Sequence, residues 1–319
     1  MNIAFEKRKK IGRGINLGNA LDFGDRPWDG GQLYTWVIQK EDITRVRDAG
    51  FDSVRIPISW TLNCTVNQPY TVNPRFLNRV EQVINWALDE GLTVIANDHH
   101  HREMMKNPVK EFPRFLAIWE QVACYFKSFP DSLYWEILNE PCDNLTASIW
   151  NDISNQCLSL FRSIDPERTL LTTSVNFGSW RCLDDLVLPK DTSNIIVAVH
   201  YYEPLGFTHQ GAYWCDPKHP LGYNWEGTDT ELAEIDNMLD FIKNWEKENN
   251  CPIYMGEFGV ILLADPKSRE RYLNYLCRSM EKREITWQIW DFYGDFKVYD
   301  KENGHWIDNM LEILLKKKE

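Results

Sequence analysis

The sequence predicts an α/β fold: a closed (β/α)8 barrel of parallel strands. Three observations carry that prediction. Eight short runs of aliphatic and aromatic residues recur along the chain and are apolar throughout, the pattern of strands covered on both faces. Amphipathic helical stretches or long loops separate them, as parallel strands joined by crossovers require. The 319 residues suffice for one such barrel and leave no linker, low-complexity tract or long repeat. An open, doubly wound sheet is the alternative. It normally carries a glycine-rich phosphate turn after its first strand, and Gly12, Gly14 and Gly18 do not supply that spacing.

In chain order, Gly12 to Asn19 reads as a first strand entering a long loop through Asp22, Arg26, Trp28 and Trp36. Lys40 to Gly50 is helical with the glycine as its stop, and Phe51 to Ile58 is the second strand. Asn73-Pro74 opens a helix whose apolar residues, Phe76 to Leu88, keep helical spacing until Gly91. Leu92 to Ala96 is a strand leading into Asn97-Asp98-His99-His100-His101. Phe115 to Phe129 is helical, and Leu133 to Leu138 is a strand that Pro141 halts. Ser148 to Ile164 is helical, followed by strands at Thr169 to Val175 and Asn194 to Val199. A long helix, Asp229 to Glu248, precedes the strand ending at Glu257. Ser268 to Lys282 is helical, Ile285 to Trp290 is the last strand, and Asn309 to Lys317 is a closing helix.

Composition narrows the function. With 35 basic and 47 acidic residues the net charge is -12, which argues against nucleic acid and anionic membranes as partners. The N-terminus, Met1 to Lys10, lacks an apolar leader core, and no run approaches a membrane span in length. The eight cysteines are scattered singly without a C-x-x-C pair, which fits reduced thiols and a cytoplasmic location. Many of the 14 Trp, 13 Tyr and 15 Phe lie near predicted strand ends, where aromatic faces suit a flat, weakly charged ligand such as a sugar ring.

Polar side chains stand at nearly every predicted strand end: Asn19, Arg55, His99, Asn139, Glu140, His200, Tyr202 and Glu257, with Trp290 beside them. Taken singly, each has a bland explanation: a surface ion pair, a satisfied core histidine, simple packing. Together they resist it, because chemistry on such barrels gathers at the carboxyl ends of strands. Glu140 and Glu257, each closing an apolar run, are candidate partners in acid/base chemistry.

The motifs Val54-Arg55-Ile-Pro57, Asn139-Glu140-Pro141, His200-Tyr-Tyr202, Gly256-Glu257-Phe-Gly259 and Trp290 resemble those of glycoside hydrolase family 5, the cellulase-type barrels. Arg13 to Asp22 and Tyr201 to Gln210 are similar to stretches of bacterial endoglucanases and glucanase/mannanases within it. Five motifs in the family's order cover nearly the whole chain. The resemblance implies a retaining β-glycosidase acting on β-1,4-glucan, an endoglucanase or cellulase, with a β-mannanase or mixed enzyme as the alternative. It implies Glu140 as general acid/base and Glu257 as nucleophile, supported by Arg55, His99, Asn139, His200 and Tyr202. Asn139 would bond the sugar 2-hydroxyl, and Trp290 would stack under the sugar. Asn19, Asp22, His100, His209 and Trp214 would line further substrate subsites. Residues 1–319 are then expected to form one catalytic domain without a carbohydrate-binding module, monomeric, with no cofactor and no metal.

Two rival classes remain at this level. His99 and His101 alternate on a strand end, and with His200 and Asp291 they offer ligand types used by metal-dependent barrel hydrolases. A barrel that binds sugar without cleaving it is the other, against which both carboxylates count.

Overall fold

The computed structural model describes residues 2–22 and 36–316. Arg26, Trp28 and Lys317, named above, lie outside the described residues. Eight strands close into one ring: β1 Arg13–Asn16, β2 Ser53–Ile56, β3 Thr93–Asn97, β4 Leu133–Glu136, β5 Leu170–Thr173, β6 Ile195–Tyr201, β7 Ile253–Phe258 and β8 Thr286–Ile289. Each pairs in parallel with its sequence neighbours, and β8 returns to β1.

Helices Lys40–Ala49, Pro74–Asp89, Pro108–Phe126, Ala147–Ile164, Asp229–Asn249 and Pro266–Lys282 lie between the strands. Their ends follow local chemistry. The Asn73 side chain accepts from the Arg75 amide ahead of Pro74, and Thr228 with Glu231 closes a reciprocal capping box. Burial of the apolar face then does most of the stabilising, since isolated helices of this length are marginal.

Period-two alternation divides every strand between two environments. Val54, Val94, Trp135, Leu170, Val197 and Met255 pack in the large core with the helices' apolar residues. Ile95, Tyr134, Leu171, Ile196, Ala198 and Tyr254 form a separate apolar cluster inside the barrel. Toward the carboxyl ends the barrel interior turns polar, with Asn16, Arg55, Asn97, Glu136 and Glu257 all buried. That polar layer is the floor of the site.

The structure departs from the sequence reading at several ends. The strand hydrogen-bonding stops sooner than the apolar runs do: Ile137 and Leu138 leave β4 yet stay fully buried. Apolarity reports burial, not pairing. The helix expected from Phe115 starts at Pro108, because proline suits a first turn that carries no apolar periodicity. The basic N-terminus forms a helix, Ala4–Lys9, that the sequence reading did not anticipate. Ala4 and Ile11 join the barrel's inner cluster, and the Tyr134 hydroxyl donates to the Lys7 carbonyl at 2.9 Å. The helix therefore plugs the end of the barrel opposite the site. Among the described residues no helix is long and apolar enough to cross a membrane.

Arg8 fixes this plug. It is buried, donates to the buried carboxylate of Glu246, and reaches the Ile253 carbonyl at 3.2 Å. Arg8→Ala leaves Glu246 with Lys243 and the Ile253 amide only, so unfolding stability should fall by about 3 kcal/mol. Denaturant titration of the two proteins measures it.

Candidate active site

Arg55 organises the floor. Its side chain is fully buried on β2, and all five of its N–H groups are used. Nε donates to Glu136 at 2.6 Å and Nη2 donates to the same carboxylate at 3.0 Å. The second Nη2 proton goes to the Asn139 carbonyl oxygen at 2.7 Å. Nη1 donates to Asn16 at 2.9 Å and to Glu257 at 2.6 Å. These bonds cross the barrel from β2 to β7. Burial disfavours the guanidinium charge, but Glu136 and Glu257 outweigh it and raise its pKa well above the ordinary value.

Glu257 reaches the floor through an irregularity. Val199 faces Met255 and the next residue, His200, faces Glu257, so Gly256 is the extra residue of a β-bulge. The bulge lets Tyr254 and Glu257, three positions apart, both point inward. A Cβ on residue 256 would sit 3.0 Å from His200 Nε2 and 3.1 Å from the Tyr254 hydroxyl, so glycine keeps the imidazole in place. The other Glu257 oxygen accepts from the Tyr202 hydroxyl at 3.0 Å. Burial and the nearby Glu257 and Glu140 hold that phenol's pKa well above its usual value, so it stays a donor.

Glu140 stands four residues beyond β4, in left-handed backbone with φ 48°. Its side chain is 27% exposed against 5% for Glu257. One carboxylate is open to solvent and proton exchange, and the other is locked to a cation. His200 Nδ1 lies 2.8 Å from Glu140 and 3.7 Å from Glu257. Burial lowers the His200 pKa, but Glu257 and Glu140 together raise it above the ordinary value. An oxygen of Glu140 and one of Glu257 lie within 4.8 Å of each other.

Arginine can only donate, so its bond to Asn139 fixes that amide and leaves the NH2 group free to donate upward. The same logic sets His99. The Ile58 amide donates to Asn97 Oδ1, so Asn97 Nδ2 must donate to His99 Nδ1, at 3.1 Å. His99 therefore carries its proton on Nε2. Burial, with His100 and Arg55 nearby, pushes its pKa well down and keeps it neutral.

Two wings flank the floor. On one side His99 stacks on Trp290, centroids 5.5 Å apart and planes within 3°. Trp290 lies over Gly18, where any Cβ would meet the indole at 2.5 Å. Asn19 donates to Asp291 and to the Tyr293 carbonyl, while Asp22 accepts from the Asn19 amide and lies 3.8 Å from His100. On the other side Tyr202 packs edge-on against His209, and His209 against Trp214, which is 46% exposed. Burial lowers the His209 pKa to about 4, so its ring is uncharged at neutral pH. The candidate residues Asn19, Asp22, Arg55, His99, His100, Asn139, Glu140, His200, Tyr202, His209, Trp214, Glu257 and Trp290 are thus gathered at the carboxyl ends of the strands.

Three residues of the floor were not singled out: Asn16, Asn97 and Glu136. For Asn16 and Glu136 the signal was a polar group inside an otherwise apolar strand run, whereas Asn97 directly follows its run.

The histidine pair proposed for a metal does not hold together. His101 turns away from His99 and bonds Asp98 at 2.7 Å and Glu111 at 3.3 Å. Asp291 belongs to Asn19. Asp22, His99 and His100 do bring ligand atoms within 4.8 Å of one another, but the free nitrogen of His99 is the protonated one.

The family model described as Cellulase (glycosyl hydrolase family 5) matches residues 16–295. The chain belongs to this family. It is 31% identical over 316 residues to Endoglucanase H of Acetivibrio thermocellus, and 30% identical to that organism's Cellulase/esterase CelE. Those matches cover 97% and 93% of this chain but only 33% and 38% of the two relatives, so the chain spans about a third of their length. Among solved structures, Cel5A of Thermotoga maritima superposes with a TM-score of 0.94 at 40% identity, covering 98% of this chain and all of that one. That protein is described in complex with mannotriose and with cellobiose.

His101 supplies a pH test of this frame. Burial alone would lower its pKa, but Asp98 and then Glu111 raise it to about 9 from the ordinary 6.5. A raised folded pKa means the stabilisation is complete below pH 6.5 and is lost as pH rises toward 9. Its size is roughly 3 kcal/mol. His101→Gln should remove that slope, which paired denaturation curves from pH 6 to 9.5 would register.

Proposed function

We propose that the protein hydrolyses β-1,4-linked glucan chains or oligosaccharides with retention of configuration, as an endo-β-1,4-glucanase. The observation carrying this reading is the pair Glu140 and Glu257, with oxygens within 4.8 Å. Retaining glycosidases hold their carboxyls about 5–5.5 Å apart, while inverting ones leave about 6.5–9.5 Å for a water.

In the first step the Glu257 carboxylate, held in place by Arg55, attacks the anomeric carbon. Glu140 gives its proton to the leaving oxygen, and the glycosidic bond breaks. In the second, Glu140 takes a proton from water, the water oxygen attacks the same carbon, and Glu257 departs. Glu140 must alternate between acid and base, and His200 Nδ1 can donate to the one form or accept from the other. The Asn139 amide donates to the sugar 2-hydroxyl, His99 presents its Nε2–H, and Trp290 forms the stacking floor. Asn19, Asp22 and His100 line one end of the cleft, and His209 and Trp214 the other. The barrel alone suffices for this chemistry, with no metal or cofactor called upon.

A second reading, mannan cleavage by the same residues, is favoured by the mannotriose described in the Thermotoga relative. The eight cysteines, none joined in a disulfide, support a reducing, cytoplasmic setting with small sugars as the substrate pool. Activity found in the culture medium would contradict that placement.

Glucan and mannan oligosaccharides incubated side by side separate the two sugars. On whichever is cleaved, Glu257→Gln should fall to background. Glu140→Ala should lose roughly 10²–10⁴-fold. On an activated aryl glycoside, added azide should return part of the Glu140→Ala activity. Unchanged turnover in either variant would remove that residue from its role, and loss of activity to excess chelator would favour a metal hydrolase.

A further inference from the structure

We propose that Trp36 is a positioning residue for the part of the sugar chain that stays on Glu257. This rests on the glycosidase reading above. The indole ties the Gly18–Asn19 turn to the segment after β8, so that Trp290 and Asn19 meet neighbouring sugars at a set spacing. Trp36 lies just ahead of the helix Lys40–Ala49 and is only 6% exposed. A buried indole N–H needs an acceptor. Here it finds the Gly18 carbonyl at 2.8 Å, two residues past the end of β1 at Asn16.

The faces of the ring make the second tie. Trp36 packs on Phe292 and Tyr293, with ring centroids 5.2 and 5.6 Å away. Those residues follow Trp290, whose own ring lies over Gly18. Asn19, in left-handed backbone with φ 62°, joins the two segments from its side. Its NH2 group donates to Asp291 and to the Tyr293 carbonyl, the latter at 2.9 Å. Both protons are thereby used, and Oδ1 remains as an acceptor for a sugar hydroxyl. Where that acceptor points depends on the spacing between residues 18–19 and 290–293. Trp36 bonds one segment and packs on the other.

The ring of eight strands identifies which sugars these are. Glu140, four residues past β4, protonates the departing oxygen, so the leaving sugar lies on the β4 side. β8 stands opposite β4, and β1 adjoins β8. The wing built from β1 and β8 therefore faces the sugars that remain bonded to Glu257. Lys301 braces the outer side of the same indole, with Nζ 4.7 Å from the ring centroid. Its bonds go to Asp42 at 2.6 Å and the Val37 carbonyl at 3.4 Å rather than to Gly18.

The test compares the β-fluorides of a monosaccharide and the matching disaccharide, gluco or manno as the wild type prefers. Fluoride leaves as a single atom, so the ratio of kcat/KM on disaccharide to monosaccharide reads the second retained sugar alone. Trp36→Phe keeps a ring against Phe292 and Tyr293 but loses the bond to Gly18, and should lower that ratio about fivefold. Trp36→Ala loses both ties and should lower it further. Lys301→Met loosens the outer brace and should lower Tm while the ratio stays at its wild-type value. An unchanged ratio in Trp36→Phe, or a ratio that falls with Tm in Lys301→Met as well, would overturn the proposal. A wild type that cleaves neither fluoride would instead defeat the glycosidase reading on which it rests.

Discussion

The site depends on one guanidinium. Arg55 divides five N–H donors among two carboxylates and two amides, and each bond fixes a different part of the chemistry. Buried ion pairs seldom stabilise a fold, because desolvation cancels much of the attraction. This cluster is better understood as placement. It fixes the position of Glu257 and the orientation of the Asn139 amide, and it links β2 to β1, β4 and β7. With Glu136 and Glu257 ionised, the buried trio carries one net negative charge. On the proposed reaction a glycosyl transition state would develop positive charge at the anomeric carbon, which a negatively charged floor is suited to stabilise.

Environment separates the two glutamates. Glu257 is buried, bonded to Arg55 and Tyr202, and brought inward by a bulge at Gly256. Glu140 lies beyond its strand in left-handed backbone, half-open and partnered by a group that both donates and accepts. One position suits a fixed charge and the other a moving proton. The residue after Glu140 also anchors the left-handed turn at Phe177, whose amide donates to the Pro141 carbonyl.

Much of this was legible in the chain. Uniformly apolar runs alternating with amphipathic helices are the direct imprint of strands buried on both faces, so the closed barrel could be read from them. Glu140, Glu257 and Arg55 stood out because motifs with proline and glycine punctuate them. Glu136 and Asn16 did not, because each sits inside its strand run among apolar neighbours, and Asn97 did not, because it opens a polar stretch in which three histidines follow. Their role needs partners from strands β1, β2 and β7, which no local pattern specifies. The N-terminal helix was hidden for a similar reason: its lysines pair with Asp131 and Glu6, its arginine with Glu246, and Ala4 with the following Ile11 enters the barrel. His101 shows the reverse error. Alternation suggested a shared face with His99, but the strand ends at Asn97, and past that point period two no longer applies.

The central claim is that Glu257, held by Arg55, forms the covalent bond to sugar. It is tested most directly by trapping that bond with 2-deoxy-2-fluoro disaccharide fluorides of the gluco and manno series, followed by peptide mass spectrometry. The account predicts one label per chain, on Glu257, accumulating far more slowly when Arg55→Lys removes the bidentate hold on its partners. Label on Glu140, or hydrolysis of the parent sugar with no labelled protein from either reagent, would contradict it.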